Sequence, residues 1–154
     1  MKKQTIKKSI ELNAPKEVVW NVLFNDEFTR IWYSEFSEGS HAQTDWKVGS
    51  KAVFTDNSNC GLIGKIIANR PFELLSVEYT GQLLNGAEDY DSDIAKDIKG
   101  GLESYRLSEQ NGKTHLSIEC DMGEDFFDLM SQAWGRALQK IKQLTESQKQ
   151  LQSQ

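Results

Sequence analysis

Between Asp125 and Glu146 apolar side chains recur at steps of three and four: Phe126, Met130, Ala133, Ala137, Ile141 and Leu144. Phe127, Trp134 and Leu138 widen the stripe, which is the pattern of a helix with one buried face. Glu124, Asp125 and Asp128 stand at its start and Lys140 and Lys142 late in it, as the helix dipole prefers. At 1.5 Å per residue this helix is about 33 Å long. A stripe of that length needs a partner as broad as a small sheet.

The rest of the chain supplies one. Residues 4–12 alternate, with Ile6, Ile10 and Leu12 on one parity and Thr5, Lys7, Ser9 and Glu11 on the other, which predicts a half-buried strand. Asn13-Ala14-Pro15 ends it, and Pro15 suits the first position of a helix, where a missing N–H costs nothing. Val18, Val19, Val22 and Leu23 give helical spacing over 15–24, and a second short helix follows from Asp26 to about Trp32-Tyr33. From Val48 the period returns to two. Lys51–Asp56 and Cys60–Asn69 flank the turn-forming Asn57-Ser58-Asn59. Glu73–Leu83 follows Arg70-Pro71, with Leu75, Val77 and Tyr79 on one face. Leu102–Ser108 and Thr114–Met122 enclose Gln110-Asn111-Gly112. Tyr105, Leu107, Leu116, Ile118, Cys120 and Met122 take the inward parity. Residues 84–100 are polar and acidic and read as a rim loop, with a helical turn or two within Asp91–Lys99. The order is strand, two short helices, about six strands, long helix. It predicts an α+β fold of the helix-grip type: a curved antiparallel sheet wrapped around the C-terminal helix. Residues 1–146 form one domain, and the Gln- and Ser-rich tail 147–154, whose one apolar residue is Leu151, is expected to fray.

Composition excludes several functions. The 154 residues carry a net charge of −5 and a pI near 5.1, with no basic patch for a phosphate backbone, so nucleic acid is not an expected partner. Met1-Lys2-Lys3 lacks an apolar segment behind it, and no run approaches membrane-spanning length. Cys60 and Cys120 are far apart and fit no metal spacing; free, buried thiols in a cytoplasmic protein are expected. Four Trp, four Tyr and seven Phe supply bulk for a core.

The order and spacing of several segments resemble the START-like, or SRPBCC, superfamily. Ala14-Pro15-Lys16-Glu17-Val18-Val19-Trp20 is similar to that family's entry into its first helix. Thr29-Arg30-Ile31-Trp32-Tyr33 resembles the second helix of the branch related to the C-terminal domain of the heat-shock protein 90 ATPase activator. Asp45-Trp46-Lys47-Val48-Gly49-Ser50, Gly64-Lys65-Ile66, Arg70-Pro71-Phe72-Glu73-Leu74-Leu75 and Ala133-Trp134-Gly135-Arg136-Ala137-Leu138 extend the likeness over Lys8–Glu146. The resemblance implies a cavity between sheet and helix. It implies no single activity, because this fold hosts carriers, cyclases and interaction modules. The activator also has a separate N-terminal domain that engages the chaperone. This chain begins at its first strand, so chaperone contact is possible but has no support.

Catalytic signatures are weak. An EF-hand loop beginning at Asp89 would need Gly and Glu where Ile94 and Gly100 stand. His41 and His115 complete no metal triad, and His115 has the outward parity. No G-x-S-x-G elbow is present, and no cofactor is implied. Glu103 shares parity with Tyr105 and Leu107. It is either a polar group inside the cavity or, as the simpler reading has it, an exposed residue at the strand's start beside Gly100-Gly101. The expected cavity lining is Trp32, Phe54, Leu62, Val77, Tyr79, Tyr105, Phe126, Met130 and Trp134, with Tyr hydroxyls and the Trp N–H as polar tips. The expected occupant is a small hydrophobic or amphipathic molecule, bound without catalysis. A cyclase- or hydrolase-like enzyme using the same cavity and a protein-interaction or chaperone-accessory module are the alternatives.

Overall fold

A computed structural model describes the backbone of residues 3–153 and the side chains of 3–148. Met1, Lys2, Gln154 and the side chains of the distal tail, including Leu151, lie outside the described residues.

The first strand, β1 (Lys3–Leu12), buries Ile6 and Leu12 and leaves Thr5, Lys7, Ser9 and Glu11 exposed. Helix α1 (Lys16–Phe24) follows, with Pro15 just outside it as the extended N-cap residue. Proline offers no side-chain cap, and the exposed first-turn amide of Lys16 instead donates to the Glu109 carboxyl, 2.8 Å away on a distant hairpin. Helix α2 (Asp26–Tyr33) is capped locally: the Asn25 side chain accepts from the Glu27 amide. Its Trp32 indole N–H donates to the Val22 carbonyl at 3.1 Å, which ties α2 to α1.

The sheet has eight strands. After α2 come β2 (His41–Gln43), β3 (Lys51–Thr55), β4 (Gly61–Arg70), β5 (Leu74–Leu84), β6 (Ala87–Asp89), β7 (Leu102–Gln110) and β8 (Lys113–Gly123). All pairings are antiparallel, in the order β1-β8-β7-β5-β4-β3-β2, with β6 paired to β5. The sequence pattern predicts about six strands; β2 and β6 are the additions. Each is only three residues long, too short to show a period of two, and each exists because a neighbouring strand offers its edge. Between β5 and β7 lies α3 (Asp93–Ile98), with Ala95 fully buried.

Curvature comes from two register shifts between β4 and β5, at Ile63/Gly64 and Ile66/Ala68. Such bulges bend a strand and raise its local twist. Gly64 is where the backbones close in: a Cβ there would lie 2.7 Å from Val77 Cγ1 and 2.9 Å from the Glu78 carbonyl.

A 3₁₀ turn (Glu124–Phe126) leads into α4 (Phe127–Ser153). The helix buries Ala133, Trp134, Ala137, Leu138 and Ile141 and continues past Glu146 through Ser153, so its backbone stays helical where the tail is expected to fray. Its C-terminal half packs on solid core, while its first turns stand over a less filled part of the concave face, with Met130 half-buried and Leu129 exposed. No helix among the described residues is long and apolar enough to cross a membrane.

Candidate functional site

Under the N-terminal half of α4 lies a cavity of about 250 Å³. Trp32 and Tyr33 from the end of α2, Phe54 from β3 and Leu62 from β4 form one side. Met130 and Trp134 of α4 form another, and Tyr79, Tyr105 and Glu103 stand on the sheet between them. Aromatic rings are closely set around this space. Trp32 and Trp134 lie 5.9 Å apart by ring centroids, Phe36 and Trp134 5.0 Å, and Tyr33 and Phe54 6.4 Å. Trp32, Trp134 and Tyr105 are almost wholly buried. The half-buried Ser37, Ser40, His41, Asp56 and Cys60 mark the rim.

The polar centre follows from strand register. Glu103 on β7 lies opposite Val77 on β5 and opposite Cys120 on β8. Tyr79 is two residues on from Val77 and Tyr105 two on from Glu103, so all four side chains share one face of the sheet. The Tyr79 hydroxyl donates to Glu103 Oε1, and the Tyr105 hydroxyl donates to Glu103 Oε2 at 2.5 Å. The Cys120 thiol sits 3.6 Å from the Tyr79 oxygen and 3.8 Å from Glu103 Oε1. Glu103 is thus a polar group of the cavity, not an exposed strand end. Its inward position is held by Tyr79 from a neighbouring strand, and Gly101 makes room: a Cβ there would crowd the Tyr79 ring at 3.2 Å.

The tyrosines and the thiol are held in their protonated forms. Burial, then the neighbouring Cys120 and Glu103, pushes Tyr79 well above the usual tyrosine range. Burial, then Glu103, does the same to Tyr105 and Tyr33. Burial, with Glu103 adding to it, pushes the Cys120 thiol up as well, so it is not a ready nucleophile. At the rim, Asp56 is occupied locally. It accepts from the Ser58 hydroxyl at 2.5 Å, the Ser37 hydroxyl at 3.0 Å and the amides of Ser58 and Cys60, and the Ser58 bond chiefly holds its carboxyl below the usual range.

Of the residues expected to line the cavity, Trp32, Phe54, Leu62, Tyr79, Tyr105, Met130 and Trp134 do so, with Glu103. Val77 does not. It has the inward parity but lies farther along β5, fully buried where β4 closes over it at Gly64. Phe126 does not either, being 50% exposed. The helical stripe extrapolated back to Phe126 assumes 3.6 residues per turn, whereas Glu124–Phe126 is a 3₁₀ turn with a different rotation per residue. Phe127 packs against the core instead. The Trp32 N–H is spent on Val22 and both tyrosine hydroxyls on Glu103, so the polar tips serve the protein first. Cys60 is half-buried, not buried.

Sequence reasoning missed Phe36, Ser37, Ser40 and His41, which come from a connection and a three-residue strand with no periodic signal. Cys120 and Met122 had a usable signal, since their parity already pointed inward. Among the described residues no three His, Cys, Asp or Glu side chains converge as metal ligands would. In the acidic segment Asp89 accepts from the Ser92 hydroxyl at 2.5 Å, Gln82 Nε2 at 2.9 Å and the Ser92 and Asp91 amides. Ser92 in turn caps α3.

Solved structures share this fold. The crystal structure of protein MLL2253 from Mesorhizobium loti superposes with a TM-score of 0.72 at 16% identity, over 94% of this chain and 98% of that one. The solution structure of the Aha1 dimer from Colwellia psychrerythraea gives 0.68 at 17%, over 90% and 93%. CalU16 from Micromonospora echinospora gives 0.66 at 18%, over 93% and 76%. At these identities the likeness is one of fold. Among curated proteins none matches the sequence significantly. The profile of the family described as Activator of Hsp90 ATPase homolog 1-like protein matches residues 13–146. With the helix-grip fold of the START-like superfamily in place around it, that match makes this chain a member of the Activator of Hsp90 ATPase homolog 1-like protein family.

Proposed function

We propose that this protein binds a small hydrophobic or amphipathic molecule in the cavity between α4 and the sheet, without transforming it. One observation carries the reading: an aromatic-walled space of about 250 Å³ with a single hydrogen-bonded polar cluster on its floor. That combination of apolar walls and few convergent polar groups is what small-molecule sites have in common. A domain selected only for stability would fill such a space, because unfilled volume forfeits dispersion contacts and costs stability.

Holding is favoured over catalysis by the state of the polar groups. The tyrosine hydroxyls already donate to Glu103, and burial keeps them and the Cys120 thiol protonated. None is poised as a base or a nucleophile. The membership established above is compatible with this reading and names no ligand.

Native mass spectrometry of protein purified without denaturation, with titration of an environment-sensitive apolar dye, tests the proposal. The expected result is one dye per folded chain, competed by any adduct that the gentle spectrum retains and a denaturing spectrum loses. Folded protein that neither carries an adduct nor binds the dye would refute it.

A further inference from the structure

We infer that the cavity selects a cationic amphiphile: a protonated amine carried on an aromatic or aliphatic body. The inference rests on the cavity being a binding site and adds the chemical class of its occupant.

The lining contains carboxyl groups and no counter-cation. Glu103 and Asp56 face the space, and neither lysine nor arginine is among the lining residues. The one histidine, His41, is at the rim, with Nδ1 3.0 Å from the Gly39 carbonyl and Nε2 3.3 Å from the Gln43 amide. An anionic head group, whether carboxylate or phosphate, would therefore enter a partly shielded space beside a half-buried carboxyl group with no positive partner in the lining. That is costly for a buried charge.

The two carboxyl groups differ in what they leave open. Asp56 already accepts four hydrogen bonds, three on Oδ1 from Ser58 and Cys60 of its own turn and one on Oδ2 from the distant Ser37 hydroxyl. Glu103 accepts one hydroxyl on each oxygen, whereas a carboxylate offers about four acceptor positions. The thiol at 3.8 Å from Oε1 is a weak third donor. Acceptor capacity therefore remains on Glu103, and the tyrosines that would otherwise compete as donors are fixed in place. The Thr55 hydroxyl, also in the lining and without a partner among the described residues, can accept as well as donate, so a ligand must bring hydrogen-bond donors. Ammonium is donor-only.

The walls favour the same charge. Trp32, Tyr33, Phe36, Phe54 and Trp134 surround the space at ring spacings of 4.5 to 6.4 Å. Aromatic faces attract a cation within about 6 Å, most strongly when water is excluded. A neutral alcohol would meet the same acceptor without the pairing of opposite charges or the cation–π attraction.

The test uses a matched series at neutral pH and physiological ionic strength, where long-range attraction to the chain's net charge is screened. Phenylbutylamine, phenylbutanol and phenylbutyrate are titrated calorimetrically into the full chain. The amine is expected to bind about tenfold more tightly than the alcohol, as a cation adds charge pairing and cation–π attraction that a hydroxyl lacks, and the acid more weakly than both. Glu103→Gln, which keeps size but removes the charge and replaces one of the two acceptor oxygens with a donor, should bring amine and alcohol close to equal. If that variant does not fold, the wild-type ranking alone decides. An alcohol or acid bound as tightly as the amine by wild type overturns the inference, as does a folded Glu103→Gln that keeps the full amine preference. If none of the three binds while the apolar dye does, the cation inference fails and the binding site stands. If the dye fails too, both fall.

Discussion

Met130→Ala and Ile141→Ala remove the same number of heavy atoms from one helix, yet they should differ several-fold in cost. Ile141 is fully buried in the half of α4 that packs on solid core. Losing its side chain beyond Cβ forfeits about 2.4 kcal/mol at roughly 0.8 kcal/mol per buried methylene equivalent. The vacated volume, roughly 80 Å³, adds about 2 kcal/mol at roughly 24 cal/mol per Å³ where the surroundings cannot collapse. The sum, about 4 kcal/mol, is within the usual range for such truncations. Met130 is half-buried and already faces the 250 Å³ cavity. It forfeits roughly half the transfer energy and creates little new void, so about 1 kcal/mol is expected. With a urea m-value of about 2 kcal/mol per molar, the midpoints should fall by about 2 M for Ile141→Ala and about 0.5 M for Met130→Ala. Tryptophan-monitored urea melts measure this, and unchanged slopes would show that the shift is one of stability. Dye titration supplies the second axis. Met130→Ala should alter affinity, and Ile141→Ala should leave the folded protein's affinity nearly intact. Equal destabilisation by the two changes, with no dye bound by wild type, would mean a filled interior and would end the argument for a ligand.

Two more predictions concern protons and cations. Tyr33, Tyr79, Tyr105 and Cys120 all have folded-state values raised by burial. From pH near 9.0 for cysteine and 10.0 for tyrosine, the unfolded chain releases protons that the folded chain keeps, and stability falls as pH rises through that window. Tyrosinate absorbance should therefore show only Tyr90, the exposed tyrosine, titrating before unfolding; reversible ionisation of all four with unchanged circular dichroism would contradict it. The acidic segment should show no specific calcium site, because Asp89 is engaged by Ser92 and Gln82 and Ile94 and Gly100 stand where an EF-hand needs Gly and Glu. A micromolar calorimetric site abolished by Asp91→Asn would refute this.

The local periodicities settled a good deal. Ile6 and Leu12, Leu75 and Tyr79, and Tyr105 and Leu107 all face inward as their parity demands, because burying one face of a strand admits no register slip. The Ala133–Ile141 stripe likewise could only be a helix laid on a sheet. Where one residue's fate depended on another far along the chain, parity was insufficient. Val77 and Tyr79 share a face, yet the close approach at Gly64 makes one core and leaves the other at the cavity. Phe126 left the stripe because the helix begins one residue later, after a 3₁₀ turn. His41–Gln43 became a strand only because β3 lay beside it. Glu103 is the sharpest case. Its sequence neighbourhood allowed both an exposed strand end and a buried carboxyl group, and a lone buried carboxyl group would have been prohibitive. Tyr79, on a neighbouring strand and twenty-four residues away, supplies one of the two hydroxyls that make the half-buried position of Glu103 tolerable. Such a bond leaves no trace in local periodicity, because the energy that decides it exists only once the sheet has assembled.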